Sequence, residues 1–202
     1  FVNYIYQSIF GTNPSQMYSA GLSFNYDKYD EDFRDPVFNY GEDISTDFIN
    51  MKREERVPGA FFQYTGEFLD QRFIVMAGLR YDYHNIFGSI WTPRAHIMYK
   101  PDEFTSIKAT FGRGLRTPNI LAENSYLLAS AANFYVNGEL LGKNPALLDD
   151  LKMEDSWNFG ANVNRKFEVF GRTLNINLDY YHTKFNDQVV VDNETTYNKV
   201  NF

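Results

Sequence analysis

Apolar and polar positions alternate with a period of two along most of this chain. In residues 72–84, one side of the alternation is apolar and ends in tyrosines: Phe73, Val75, Ala77, Leu79, Tyr81 and Tyr83. The other side is mixed and becomes charged towards the end of the run. Successive side chains of a β-strand point to opposite faces, so this alternation predicts a strand with one apolar and one polar face.

Residues 57–69 alternate in the same way, and Asp70-Gln71 separates them from the next run. A two-residue turn at this dipeptide predicts a β-hairpin. Its register matches apolar residues on one face, pairing Phe68 with Phe73, Tyr64 with Ala77 and Phe62 with Leu79, and it places Phe61 opposite Arg80. A slip of one residue would put the apolar side chains opposite polar ones, so the pattern specifies this register.

Further strands are predicted wherever the alternation recurs, at residues 1–10, 17–29, 93–100, 106–112, 157–164 and 173–180, with one more beginning in 189–202. The total is about eight or nine strands, several near the ~9–11 residues of a tilted membrane-spanning strand. Short turns are predicted near residues 11–16, 70–71, 100–104 and 168–171. Polar loops are predicted at 30–55, 85–91 and 115–153, and residues 119–132 within the last one favour a short helix.

Short turns and long loops alternate in this order, which places the short turns at one rim of a sheet and the long loops at the other. This layout predicts an all-β fold, an antiparallel up-and-down transmembrane β-barrel with periplasmic turns and extracellular loops. Alternation alone also fits a soluble β-sandwich, whose apolar faces oppose each other. Charged side chains in the middle of the polar faces favour the barrel, because a wet interior accommodates them.

Aromatic residues are abundant, with 15 Tyr and 19 Phe among 202 residues, although the mean hydropathy is −0.45. They gather at the ends of the predicted strands, as Tyr81, Tyr83 and Trp91 do at one end and Tyr99 and Phe104 at the other. Such rings suit the two interfaces between lipid and water. No stretch reaches the roughly 18 apolar residues of a membrane-spanning helix. The net charge of −7 argues against a nucleic-acid partner.

Three motifs carry a resemblance to a known family. They are Ala77-Gly78-Leu79-Arg80-Tyr81-Asp82 with Trp91-Thr92-Pro93-Arg94, then Phe111-Gly112-Arg113-Gly114-Leu115-Arg116-Thr117-Pro118-Asn119, and finally Gly142-Lys143-Asn144-Pro145 with Lys152-Met153-Glu154-Asp155-Ser156. Their order and spacing resemble the barrel of TonB-dependent outer-membrane receptors over residues 56–202. The resemblance implies a bacterial outer-membrane location and energised uptake of a scarce nutrient, such as an iron chelate, cobalamin, a glycan or a peptide.

Members of that family have barrels of about 22 strands around an N-terminal plug domain. The chain shows neither a plug nor an energy-coupling box. Residues 1–202 are therefore expected to be one section of a single barrel domain, with the plug and the other strands elsewhere in a longer protein. The implied partners are outer-membrane lipid, the protein's own plug, TonB with its inner-membrane energising complex, the nutrient, and a surface lipoprotein in some receptors.

The charged side chains of the predicted polar faces are the first candidate site, made up of Arg80, Asp82, Arg94, His96 and Lys108. The predicted register brings Asp82 near Arg94, Arg80 opposite His96, and His96 opposite Lys108. These residues are candidates for contact with the plug in the barrel lumen, and direct contact with substrate is the weaker alternative. A purely structural role is also open, since charge pairs on a barrel wall fix the register of its strands.

Arg113, Arg116 and Asn119 lie where a strand meets the long loop at 115–153. They are candidates for guiding an anionic ligand towards the receptor. The alternative is that they bind backbone carbonyls of the loop. No metal site or cofactor is predicted, because His84, His96 and His182 lack the dense spacing of ligands.

Enzyme activity is not predicted, since the chain has no Gly-x-Ser-x-Gly elbow, no cysteine and no phosphate-binding loop. Two other functions remain open. One is a passive porin or a small self-contained outer-membrane barrel. The other is a soluble β-sandwich that binds glycan.

Overall fold

The computed structural model describes residues 1–34, 48–124, 126, 133–136, 139–140, 151–192 and 199–201. Eight strands form one sheet in the order β1-β2-β3-β4-β5-β6-β9-β10, and three short ones form a second sheet in the order β11-β7-β8. In chain order the elements are β1 Val2–Phe10, β2 Asn13–Arg34, β3 Phe48–Phe68, β4 Phe73–His84, β5 Gly88–Tyr99, β6 Thr105–Arg116, α1 Ile120–Glu123, β7 Asn133–Val136, β8 Glu139–Leu140, β9 Glu154–Val169, β10 Arg172–Asp187 and β11 Lys199–Asn201.

The chain divides into two compact units. The first unit comprises Phe1–Asn25, Arg56–Leu115 and Asp155–Asn186. It holds β1, β4 and β5 entirely and most of β6, β9 and β10. In this unit, β1 pairs with β2, β3 with β4, β4 with β5, and β5 with β6. All four pairs are antiparallel, as the alternation predicts.

The second unit comprises Tyr26–Glu55, Arg116–Glu154 and Asp187–Phe202. It contains the three-stranded sheet, in which β11 runs parallel to β7 and β7 runs antiparallel to β8. Val136 on β7 is completely buried there. The unit also contains α1, which lies within the segment 119–132 that favours a helix.

The hairpin of β3 and β4 has the predicted register. Phe68 lies opposite Phe73, and Phe61 lies opposite Arg80. The predicted two-residue turn is confirmed, with Asp70 and Gln71 as its central residues between Leu69 and Arg72. Leu69, Asp70 and Gln71 all have positive φ, and the backbone N–H of Arg72 donates to the carbonyl of Leu69 at 3.1 Å.

The predicted partners of the charged residues on β4, β5 and β6 are wrong, although the strands themselves are confirmed. Arg94 lies opposite Gly78 rather than near Asp82, and Arg80 lies opposite Thr92 rather than His96. The partners differ because the loop between β4 and β5 is shorter than the predicted 85–91. It comprises only residues 85–87, since Gly88 already pairs with His84. Gly88 adopts the positive φ of 75° that such a tight loop favours.

The pairing of β5 with β6 is shifted by two residues from the predicted one. His96 lies opposite Thr110, and Lys108 lies opposite Met98. Asp102 orders the intervening turn, since it accepts hydrogen bonds from the Thr105 hydroxyl at 3.1 Å and the Phe104 backbone N–H at 2.8 Å. These two bonds, led by the one from Thr105, hold the pKa of the Asp102 carboxyl below its ordinary value.

Two strands extend further than predicted, into the segment 30–55 that the polarity of the sequence marks as a loop. β2 continues to Arg34, and β3 begins at Phe48. Within the second unit this extension carries a buried ion pair between Arg53 and Glu55, with the Arg53 guanidinium 5.0 Å from the centre of the Tyr29 ring. The charged residues obscured the strand because Arg53 and Glu55 pair with each other on β3 instead of facing water as loop residues do.

Apolar side chains in the described residues do not form a conventional core. Among the described residues, the only buried apolar ones are Ile90, Ile120 and Val136, whereas Phe62 and Ile176 are each 50% exposed. A β-sandwich would bury one apolar face against a second sheet. The sandwich is therefore wrong for the eight-stranded sheet that the structure describes. No described helix has the length and apolar character needed to cross a membrane.

Candidate functional site

The five candidate residues on the polar strand faces share one side of the sheet in the first unit. Residues directly opposite each other in an antiparallel pair point to the same side. The registers therefore place Arg80, Asp82, Arg94, His96 and Lys108 together on one side, called the polar face below. The opposite side, called the apolar face, carries Phe62, Leu79, Ala95 and Ala109.

Arg80 and Asp82 form a two-pronged ion pair on the polar face. Arg80 Nε donates to Asp82 Oδ2 and Arg80 Nη2 to Asp82 Oδ1, both at 2.6 Å. Arg80 Nη2 also donates to the Ser23 hydroxyl on β2 at 2.7 Å. Asp82 is only 8% exposed, so the carboxylate depends on these bonds in place of water.

Gly59 makes this cluster possible. It lies on β3 directly opposite Asp82, between the strands that carry Arg80 and Ser23. A Cβ at this position would collide with Asp82 Oδ1 and would lie 2.9 Å from Ser23 Oγ. The cluster thus bridges three strands across the position that has no side chain.

The other three candidates on the polar face are exposed. Arg94 extends over Gly78 and donates to Gln63 Oε1 at 3.3 Å. Lys108 lines an open groove of about 440 Å³ with polar residues of β6, β9 and β10, including Asn162, Asn177 and Asp179. Exposed polar groups in this number suit a surface that meets water or a polar protein partner.

The floor of the polar groove is a network of amides around one carboxylate. Asn162 Nδ2 donates to Asp179 Oδ1 at 2.6 Å and to Asn177 Oδ1 at 2.8 Å. Asn177 Nδ2 donates to the second oxygen of Asp179 at 2.5 Å. The network links β9 to β10 and holds the three side chains in fixed positions.

Arg113 is bound to a carboxylate rather than presented to a ligand. Its Nε and Nη2 donate to Asp155 at 2.8 and 3.0 Å, and its Nη1 donates to the carbonyl of Trp91 at 3.1 Å. Asn186 Nδ2 also donates to Asp155, at 3.0 Å. The guanidinium stands 5.8 Å from the centre of the Trp157 ring, a cation–π distance.

Arg116 joins two carboxylates in the second unit. It donates to Glu154 through Nε at 2.7 Å, and its Nη2 lies 2.6 Å from Glu154 Oε2 and 3.0 Å from Glu123 Oε2. Glu123 also accepts the backbone N–H of Asn119 at 3.2 Å, just before α1. Glu154 accepts the backbone N–H of Val189 at 3.2 Å.

Arg113, Arg116 and Asn119 therefore all have partners within the protein. These partners are mostly carboxylate side chains, whereas the alternative from the sequence was binding to backbone carbonyls of the loop. The carboxylates Glu123, Glu154 and Asp155 were not among the predicted site residues. Glu154 and Asp155 are adjacent at the start of β9, and this acidic pair is visible in the sequence. The sequence alone does not show that the pair binds Arg116 and Arg113, which lie some 40 residues earlier. Within the described ranges, no three His, Cys, Asp or Glu residues are grouped closely enough to hold a metal ion.

Curated and solved relatives resemble this chain over most of its length. The probable TonB-dependent siderophore receptor PirA of Acinetobacter baumannii is 26% identical over 157 residues, which cover 75% of this chain and 19% of that receptor. The chain thus spans about a fifth of the length of this relative.

Solved structures share the fold. A variant of the ferric enterobactin receptor PfeA from Pseudomonas aeruginosa, in complex with enterobactin, gives a TM-score of 0.65 at 18% identity, over 94% of this chain and 27% of that one. The siderophore receptor PirA from Acinetobacter baumannii gives a TM-score of 0.64 at 18% identity, over 98% of this chain and 31% of that one.

The family model described as "TonB dependent receptor-like, beta-barrel" matches residues 2–201. Proteins with this barrel are located in the bacterial outer membrane. The eight-stranded antiparallel sheet, which is not closed on itself, is accordingly a section of such a barrel. This chain belongs to the β-barrel family of TonB-dependent receptors.

Proposed function

We propose that the protein containing this chain is an active transporter that captures a ferric siderophore outside the cell and imports it across the outer membrane. TonB and its inner-membrane complex supply the energy. The match of residues 2–201 to the receptor barrel family carries the proposal. The named relatives PirA and PfeA, a siderophore receptor and a ferric enterobactin receptor, favour an iron chelate over cobalamin, a glycan or a peptide.

In this transporter the chain supplies part of the wall rather than the energised part. We propose that the polar face lies against the protein's own plug domain, with Arg94, His96 and Lys108 as contacts. Their exposure leaves donors for a polar partner. The Arg80–Asp82 pair has a structural task, because its charges are already satisfied by each other and by Ser23.

The paired arginines at the loop junction also fit a structural task. Arg113 and Arg116 bind carboxylates at the start of β9, and Asn119, just before α1, donates its backbone N–H to Glu123. Arg113 is neutralised by Asp155, and Arg116 faces two carboxylates. An anionic ligand approaching these positions meets little uncompensated positive charge.

The test is uptake of radiolabelled ferric enterobactin by an outer-membrane receptor-deficient strain that expresses the full-length protein. We expect iron accumulation that disappears when the TonB gene is deleted. Accumulation that persists without TonB would indicate a passive porin. Absence of binding and uptake for ferric enterobactin and for a ferric hydroxamate would overturn the iron-chelate assignment.

A further inference from the structure

Two methionines and a histidine lie together on the polar face, towards the short-turn ends of β4 and β5. Met76 lies directly opposite His96, and Ile74 lies directly opposite Met98. Met98 therefore follows His96 by two residues on the same side of β5 and lies diagonal to Met76. These three side chains, Met76, His96 and Met98, are called the thioether–imidazole cluster below.

The strand register brings the three side chains within reach of a common point. Directly opposite residues of an antiparallel pair have Cβ atoms about 4.5–5.5 Å apart, and diagonal neighbours are about 7–8 Å apart. A methionine side chain is unbranched and rotates freely, so its sulfur can turn towards a neighbour. The cluster can thus direct two sulfur atoms and one imidazole nitrogen at a single ion held between two adjacent strands.

The side chains of the cluster are available for a ligand. His96 is exposed, and Met76 and Met98 are half-buried. In the part of the chain that the structure describes, none of these three side chains makes a hydrogen bond or an ion pair. Met17 on β2 differs, because its sulfur accepts a hydrogen bond from Gln7 Nε2 at 2.7 Å.

The surroundings of the cluster disfavour a doubly charged cation. Uncharged residues flank Met76 and His96 in their own row of opposite residues, namely Thr65 on β3 and Thr110 on β6. The adjoining rows carry one acidic and two basic residues: Glu67, Arg94 and Lys108. Since the three ligands are neutral and the nearby charges sum to a positive value, a divalent ion meets more repulsion than a monovalent one.

The ligand types select a soft metal. Ca²⁺ and Mg²⁺ prefer oxygen ligands, whereas thioether sulfur selects Cu(I) and imidazole suits copper as well. We propose that Met76, His96 and Met98 bind one soft monovalent cation, Cu(I), on the polar face. The site is next to the last residue pair of the hairpin, Phe73 with Tyr99, and so lies near the periplasmic rim in the barrel layout.

The test is calorimetric titration of the full-length receptor, purified in mild detergent, with Ag(I), the air-stable counterpart of Cu(I). Met76→Leu and Met98→Leu each remove one sulfur and keep the side-chain volume. We expect each to weaken Ag(I) binding by about tenfold or more, because loss of even an outer partner of a metal ligand costs about 10–100-fold in affinity. Met17→Leu removes a sulfur outside the cluster and should bind Ag(I) as the wild type does.

His96→Gln removes the imidazole and should also weaken Ag(I) binding. It replaces either methionine variant where the mobility shift on heating shows that the variant is unfolded. Unchanged Ag(I) affinity in the cluster variants would overturn the proposal, and so would an equal loss in Met17→Leu. Zn(II) binding as tight as Ag(I) binding would also overturn it, because the site would then not select a soft ion. Uptake of ferric enterobactin tests the transport function separately.

Discussion

Gly59 and Gly78 both face the polar side of the sheet, yet their surroundings differ. A Cβ at Gly59 would collide with Asp82 Oδ1, whereas one at Gly78 would come no closer than 3.4 Å to Arg94 Nε. Asp82 can move away only by breaking the two bonds that it accepts from Arg80. The Arg80–Asp82 ion pair therefore requires a residue without a side chain at position 59, whereas position 78 can accept alanine.

We predict that Gly59→Ala lowers the free energy of unfolding of the full-length receptor by about 1–3 kcal/mol, as overpacking and the loss of a buried polar bond do elsewhere. Gly78→Ala is the matched control and should be neutral or slightly stabilising, since alanine has less conformational freedom to lose. Urea unfolding in lipid vesicles measures both. Equal effects of the two substitutions would show that the Arg80–Asp82–Ser23 cluster adapts to a side chain at position 59.

The sequence predicts which side a residue faces better than it predicts what the residue contacts. Alternation alone places Arg94, His96 and Lys108 on the polar face, and the structure agrees. It cannot pair Arg113 with Asp155, because the two are 42 residues apart and the contact depends on how β6 and β9 meet. The face on which a side chain lies is determined locally by the strand, whereas its contact partner depends on how the strands assemble into the sheet.

At the scale of elements, the hairpins show why the predicted face of each residue was correct even where its predicted cross-strand partner was wrong. The predicted register of β3 and β4 is right because apolar residues match along its whole length. For β4 with β5, the turn was placed too late along the chain, and the partners shifted by four positions. An even shift preserves the side that each residue faces and changes only its neighbours. The apolar pattern excludes odd shifts and leaves even ones to be decided by the turn.

Arg116 connects elements rather than neighbouring residues, since it joins the end of β6 to α1 and to the start of β9. We predict a coupling free energy of about 0.5–1 kcal/mol between Arg116 and Glu154 in a double-mutant cycle with alanine. The value is modest because the Arg116 side chain is 57% exposed and solvent screens the pair. Hydrogen exchange at the backbone amides of α1 should accelerate in each single variant.

Lys152 and Asp187 provide the control for this cycle within the same unit. Their charged atoms are 3.7 Å apart, and both side chains are more exposed than those of Arg116 and Glu154, at 80% and 47%. We expect their coupling to be close to zero. Coupling of the same size in both cycles would mean that Arg116 acts as an ordinary surface charge and does not link α1 to β9.

At the scale of the whole molecule, the described sheet separates two environments without a core of its own. Leu79, Ile97 and Ile107 stay exposed on one side, while Lys108, Asn162, Asn177 and Asp179 gather on the other. Such a sheet is stable only where hydrocarbon covers the apolar face, because water at this face would forfeit the free energy of burial. The polar face requires water or a polar protein, so the two sides must meet different partners.

Lys108 and Ala109 test this separation, because they are adjacent in the chain and face opposite sides. The proposed function places the plug domain against the polar face. We therefore predict that Lys108→Cys in the full-length receptor in vesicles reacts with a water-soluble maleimide faster once the plug domain is deleted. Ala109→Cys should react slowly with or without the plug, because lipid surrounds it. A bimane label at position 109, and not at 108, should be quenched by brominated lipid. Quenching at both positions, or labelling of Lys108→Cys that ignores the plug, would contradict the proposed placement of the two faces.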